Sequence, residues 1–256
     1  MKDAPPPLPE RVWRKLRTLV LAPRLRRYLA AMSKDNPLHG LPATVVGDAS
    51  ADSTEFFDHY DAFAFWVAAR LAGSPRRRIL DVGSAKMMCA MLSAQHEVTS
   101  YVLADCLDRF SAVRYVRHDI ADRLPAADGT FDCFTSSAAL QLVGLGRYGD
   151  RLDPDCLPRF VGELDRVMTP AADLFVSMCL GPDLLAFNNS WLLSEETIRR
   201  IFVGWKLEEI VVDHYSSPRT RSTRPPEQRF DRDSDISHIR KGDYRVIFCH
   251  FRRAAA

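Results

Sequence analysis

The sequence predicts an α/β fold built on a single doubly wound sheet, and three observations predict it. Short apolar runs alternate with helical stretches along most of the 256 residues, the pattern of strands joined by crossover helices. The segment "RRRILDVGSAK" carries an apolar run (Ile79, Leu80, Val82) through Asp81 into Gly83, and a helical stretch follows. Two more short apolar runs come next, the second of which, "VRYVRHDI", ends in Asp119 and Ile120. Acids and a glycine thus gather at the carboxyl ends of neighbouring strands, the edge where open α/β sheets bind ligands.

Each element has its own local reason. Residues 1–10 are proline-rich and read as extended. From Arg11 to Met32, Val12, Leu16, Leu19 and Val20 recur at helical spacing among arginines and lysines, and Pro23 should end or kink that helix because it lacks an amide proton. Two readings stay open for 11–32: a surface helix packed on the body, or a basic amphipathic helix making peripheral contact with an anionic membrane. Residues 33–53 read as a loop, and "EFFDHYDAFAFWVAARLAG" reads as a helix stopped at Gly73. Strands are predicted at 77–83, 98–104, 113–118, 131–137, 173–179 and 207–213, with a closing strand in "YRVIFCHF". Helices are predicted at 85–94, at 157–168 (ended by Pro170), and in "SEETIRRIF", where the Ser194 hydroxyl can cap and two glutamates follow in the first turn. Residues 216–241 are polar and without periodicity, which predicts a long loop. Met87, Met88 and Met91 stand at helical spacing and read as core filling.

Composition narrows the function classes. The length suits one α/β domain with an appendage, divided here as a basic helical extension over 1–55 and the α/β domain over 56–256. A net charge of +2 predicts no general affinity for nucleic acid, although residues 1–36 alone carry nine basic side chains against three acidic ones. The six cysteines show neither a C-x-x-C pair nor zinc-ligand spacing, so no metal site is expected. Cys133, Cys179 and Cys249 fall in predicted strands as small apolar groups, and a reducing cytoplasm is the economical compartment. No secretory signal and no apolar run of the roughly 20 residues a membrane span needs is present.

Taken with the order of its strands, the "DVGSAK" turn resembles the first motif of class I S-adenosylmethionine-dependent methyltransferases, although one glycine stands where that class usually carries G-x-G-x-G. A narrower resemblance rests on "GLGRYGD" at 144–150, "RLDPD" after it, "FNN" at 187–189 and "HYDAFAFWVAARL" from His59. Over residues 56–213 these look like an uncharacterised branch of methyltransferase-like proteins, a domain-of-unknown-function family met in bacterial polysaccharide and glycosylation loci. The resemblance implies S-adenosylmethionine as cofactor and methyl transfer to an oxygen or nitrogen of a small molecule, a sugar among the candidates. It assigns Asp81, Gly83 and Ser84 to the amino-acid end of the cofactor, Asp105 to its ribose, and Asp119 with Ile120 to its adenine. On the acceptor side it offers Asp150 as a base, with Tyr148, Arg147 and Asn188 as contacts.

The chain also departs from that branch. Where the branch has a His-x-x-Glu-His segment, this chain has Ala138, Gln141 and Leu142. Its ribose-binding acid aligns with Val102, and an Asn-Ala-His reads Asn188, Asn189, Ser190. A second function class therefore stands beside the first: a methyltransferase-fold protein that binds a partner or glycan without catalysis. Asp119 can instead be only a turn former, the lesser of its two readings, His59 and Tyr60 can pack or cap the site, and the glycine-bracketed loop can present side chains or simply connect.

Overall fold

The computed structural model describes residues 21–45, 59–213, 230–232 and 244–253. At its centre lies β2 (Arg78–Val82), of which four of five residues are buried, because helices cover both faces of the sheet there. To one side run β3 (Glu97–Val102) and β4 (Arg114–Arg117), each parallel to its neighbour. To the other side run β5 (Phe131–Ser137) and β6 (Met168–Leu180), again parallel. Beyond β6 the sheet turns antiparallel: β11 (Arg245–Arg253) lies between β6 and β9 (Trp205–Asp213), and β10 (Phe230–Arg232) forms the edge. The order β10-β9-β11-β6-β5-β2-β3-β4 matches the predicted single α/β sheet.

Strand periodicity divides the core. Along β5, Cys133 faces α2 (His59–Leu71) and α3 (Lys86–Ser93), together with Ile79, Phe175 and Phe248. Phe134, one residue on, faces the opposite layer, which includes α4 (Cys156–Val167) and α5 (Glu195–Ile201). Cys133 and Cys249 are fully buried in strands, as the small-apolar reading expects, and Cys179 lies in β6. The cap on α5 is as read from the sequence: Thr197 N donates to Ser194 Oγ at 3.2 Å. Gly73 follows the end of α2 at φ +73°, and α4 ends before Pro170.

Several expectations are corrected. Residues 21–30 (α1) are helical with Pro23 inside the first described turn, and the stretch that Pro23 was expected to end or kink, 11–20, lies outside the described residues. α1 turns Tyr28 into the main core, where its ring lies 5.7 Å from Phe187 and 6.4 Å from Trp191, while Leu21, Leu25 and Leu29 pack at the core margin. The loop expected over 33–53 contains β1 (Ala43–Val45), which pairs in parallel with β7 (Leu184–Phe187). β7 in turn forms a hairpin with β8 (Ser190–Leu192), giving a small second sheet. Of the three methionines read as core, only Met88 is buried; Met87 and Met91 are 72% and 46% exposed, since Met88, Cys89 and Leu92 already complete the inward stripe of the short α3. Most of 216–241 and all of 11–20 lie outside the described residues, but 230–232 pair with β9. Among the described residues no helix is long and apolar enough to cross a membrane.

Candidate functional site

From β2 the chain moves outward to β3 and β4, then returns to β5 on the other side of β2, so the strand order reverses between β2 and β5. At such a switch point the loops leave in opposite directions and open a crevice at the carboxyl ends. A cavity of about 310 Å³ lies at that place. β2 gives it Val82 and Gly83, and β3 gives Tyr101, Val102 and Leu103. The residues after β4 contribute His118, Asp119 and Ile120, and the end of β5 contributes Ser137, Ala138 and Ala139. A 3-10 turn, Leu140–Leu142, carries the wall onward through Val143 and Gly144 to Tyr148, Asp150 and Cys156, with Tyr60 of α2 on the same cavity.

The sequence-predicted residues divide here. Gly83, Asp119 and Ile120 are brought together on the cavity. Asp119 Oδ1 accepts the Ala121 amide at 2.9 Å, so the turn-former reading holds for that oxygen. Gly83 sits at φ +74°, and a Cβ built on it would stand 2.3 Å from Ala139 Cβ. The glycine is therefore required where the β2 turn crosses the β5 turn, before any ligand is considered. Ala138, on the same crossing, has φ +51°, an unusual conformation for alanine.

Asp81 does not reach the cavity. It is fully buried, accepts Ser100 Oγ of β3 and Thr135 Oγ1 of β5 at 2.9 Å each, and so ties the central strands together beneath the site. Burial pushes its carboxyl pKa up, against the hydrogen bonds from Ser100 and Thr135. Ser84 lies beside it, outside the cavity lining. Asp105 is also outside: its side chain is 74% exposed and faces Arg117 at 3.8 Å. Val102 and Leu103 form the wall where the resemblance implies a ribose-binding acid.

On the opposite wall, residues 144–150 form a closed loop bridged from Leu145 to Leu152. Gly144, Gly146 and Gly149 all take positive φ, as the glycine bracketing predicts. Asp150 holds the loop from within: Oδ2 accepts the Gly146 amide and Oδ1 the Tyr148 amide, each at 3.0 Å. Tyr148 lines the cavity and is 66% exposed. Arg147 and Asn188 do not line it; Arg147 Nη1 donates to the Asn188 carbonyl at 3.4 Å and to Asn189 Oδ1 at 3.1 Å. "GLGRYGD" and "FNN", far apart in sequence, are thus joined in space. "RLDPD" ties the same region to the N-terminal segment, with Asn36 Nδ2 donating to the Pro154 carbonyl at 2.8 Å.

Sequence reasoning passed over His118, Ser137 and Cys156. His118 follows β4 directly, and its Nε2 is buried without a hydrogen-bond partner among the described residues. The strand-end position that singled out Asp119 applies equally to the residue before it. Burial pushes the Cys156 thiol up to about 12, so it is a neutral wall group at neutral pH.

Solved structures with a similar fold include a putative methyltransferase from Bacillus halodurans, 15% identical, covering 75% of this chain and 99% of that one at a TM-score of 0.52. Geranyl diphosphate methyltransferase in complex with SAM is 13% identical, with 75% and 85% of the two chains covered and a TM-score of 0.52. The [4+2]-cyclase SpnF is 15% identical over 95% of both chains, with a TM-score of 0.53. Identities this low establish a shared methyltransferase-like fold. No curated protein matches the sequence. One family model does, described as "Caenorhabditis protein of unknown function, DUF268", and it spans residues 80–241. Running from within β2 to beyond β10 and taking in the whole switch-point edge, that match makes the chain a member of the DUF268 family.

Proposed function

We propose that this chain transfers a methyl group from S-adenosylmethionine to an oxygen or nitrogen of a small molecule, a sugar among the candidate acceptors, in the cytoplasm. The observation that carries the reading is the cavity at the strand-order reversal, with Gly83, Asp119 and Ile120 on one rim and the 144–150 loop on the other. The residues fit the cofactor at two of its three parts. Asp119 Oδ2 has no hydrogen-bond partner among the described residues and could accept the adenine amino group, while Ile120 would pack on the ring. Gly83 and Ala138, both on the cavity lining, would flank the amino-acid end. Val102 and Leu103 line the wall where the ribose would lie and would offer its hydroxyls no carboxylate.

The cofactor supplies a methyl group already activated on a sulfonium, which leaves positioning as the main task of the protein. Tyr60 and Tyr148 stand on the acceptor side, and Asp150 remains the carboxylate nearest the role of base. A second reading, binding without transfer, is favoured by Asp150 itself, whose two oxygens are both engaged by loop amides.

Calorimetric titration with S-adenosylmethionine and S-adenosylhomocysteine tests the reading. One-to-one binding is expected, weakened about tenfold or more by Asp119→Ala, as loss of one hydrogen bond to a charged group implies. Absence of binding to folded wild-type protein would overturn it. If Asp150 is a base, Asp150→Asn lowers turnover by roughly 100-fold or more with cofactor affinity unchanged; unchanged turnover confines Asp150 to holding the loop.

A further inference from the structure

Behind the cavity, the end of β5, the strand β6, the 3-10 turn and β8 meet in a polar patch. Ser137 and Ser177 are register partners on parallel β5 and β6, and Ser137 also lines the cavity. Two residues along β6 on the same face, Cys179 accepts a long contact of 3.7 Å from Gln141 Nε2 and lies beside Ser190. Ser137, Gln141 and Ser177 are each at most 2% exposed. Yet Ser137 Oγ, Ser177 Oγ and Gln141 Oε1 have no hydrogen-bond partner among the described residues. Unpaired buried polar atoms cost stability, and natural cores keep few of them. Three in one patch touching the cavity wall are a cost that packing does not explain, since alanine would fill either serine site.

We infer that this patch is the acceptor subsite, that it takes a neutral hydroxyl- or amide-bearing group, and that Gln141 selects for it. The inference rests on the methyl-transfer reading and names its substrate class. Gln141 is held by one contact to sulfur, a weak acceptor, and it rides on the turn whose Leu142 lines the cavity. Its amide can therefore turn to the cavity side with little loss, offering a donor and an acceptor together. Neutrality follows from the surroundings. Burial pushes the Cys179 thiol up to about 12, and no charged side chain acts on it. The Tyr244 phenol, near both Cys179 and Tyr60, is also pushed up to about 12 by burial. The side chains named, Ser137, Gln141, Ser177 and Cys179, are all neutral, so a carboxylate or phosphate entering among them would lose its hydration, whereas a hydroxyl would find matched partners. A neutral sugar or another polyol fits that chemistry.

Two arms test this, using Gln141→Leu and Ser177→Ala in the full chain. Without ligand, both variants should melt higher than wild type by about 2–4 °C, because each removes an unsatisfied buried group. In the presence of S-adenosylhomocysteine, saturation-transfer NMR should detect neutral hexoses but not the matching uronic acids or hexose phosphates. Gln141→Leu should weaken the hexose signal about tenfold while leaving S-adenosylhomocysteine affinity unchanged. Lower melting points in both variants would make the patch structural and overturn the proposal. So would binding of the charged probes on a par with the neutral ones, or no hexose binding by protein that does bind S-adenosylhomocysteine. Failure to bind S-adenosylhomocysteine would instead strike the methyl-transfer reading, and the melting arm would still decide the patch. Should Gln141→Leu fail to fold, Ser177→Ala carries both arms.

Discussion

Asp81 and Asp173 are both buried carboxyls, and they respond to acid in opposite ways. Burial acts upward on Asp173, but hydrogen bonds from His250 Nε2 and Arg252 Nε, each at 2.8 Å, prevail and hold it below its ordinary value of 3.8. Its stabilisation is present above that value and lost as pH falls through the lowered one. At Asp81 burial prevails, so the folded chain holds the proton more tightly than the unfolded chain. The stabilisation from its neutral form is complete below 3.8 and lost as pH rises through the raised value. Asp81→Asn keeps the size and lets Ser100 and Thr135 reorient their hydroxyls. The melting point of the variant relative to wild type should therefore climb between pH 4 and pH 8. A constant difference would show that Asp81 does not titrate in that window. Sequence alone placed Asp81 at a strand end among the ligand contacts, but which face of β2 it occupies depends on Ser100 and Thr135, residues 19 and 54 positions away.

The loop over 144–150 shows how far composition can be read as geometry. Its three glycines predict positive φ, and they have it, but their need for glycine differs. A Cβ on Gly144 would stand 2.0 Å from the Asp153 carbonyl oxygen, whereas a Cβ on Gly149 would meet open space. Gly144→Ala should lower the unfolding free energy by about 3 kcal/mol, the sum of left-handed strain and a backbone clash; Gly149→Ala should lower it by about 1–2 kcal/mol from strain alone. Equal losses in chemical denaturation would refute the distinction. Long periodic elements were legible for the same reason the glycines were: β5 alternates between two apolar layers and its predicted bounds, 131–137, are those observed. The small sheet was not legible, because three- and four-residue strands carry too few residues for a period and are defined by each other. Only its turn left a trace, in Asn189, whose amide bonds back to the Ala186 carbonyl at 2.6 Å.

At the scale of the whole molecule, α1 belongs to the core on which the site is built. Tyr28 is 2% exposed between Phe187 and Trp191, next to the β7–β8 hairpin that holds Asn188 and Asn189. Tyr28→Ala should cost about 3–5 kcal/mol in chemical denaturation, as truncation of a fully packed aromatic residue does. A loss below about 1 kcal/mol would mean that α1 only rests on the surface. The large ring separation in sequence, from 28 to 187 and 191, is why amphipathic spacing alone left the packed and membrane-bound readings both open.

The position of β11 sets an order of events during synthesis. β11 follows β9 in the chain yet lies between β9 and β6, pairing with both over most of its nine residues. As the chain emerges in order, β2 to β6 can assemble into a parallel sheet, but β9 has no place to join until β11 has appeared. Until then the far edge of β6, rich in Leu174, Val176 and Met178, presents unpaired backbone to its surroundings. The nascent protein is thus most exposed to mispairing with other chains while its candidate site is already half built, which makes residues 245–253 the segment whose arrival ends that hazard.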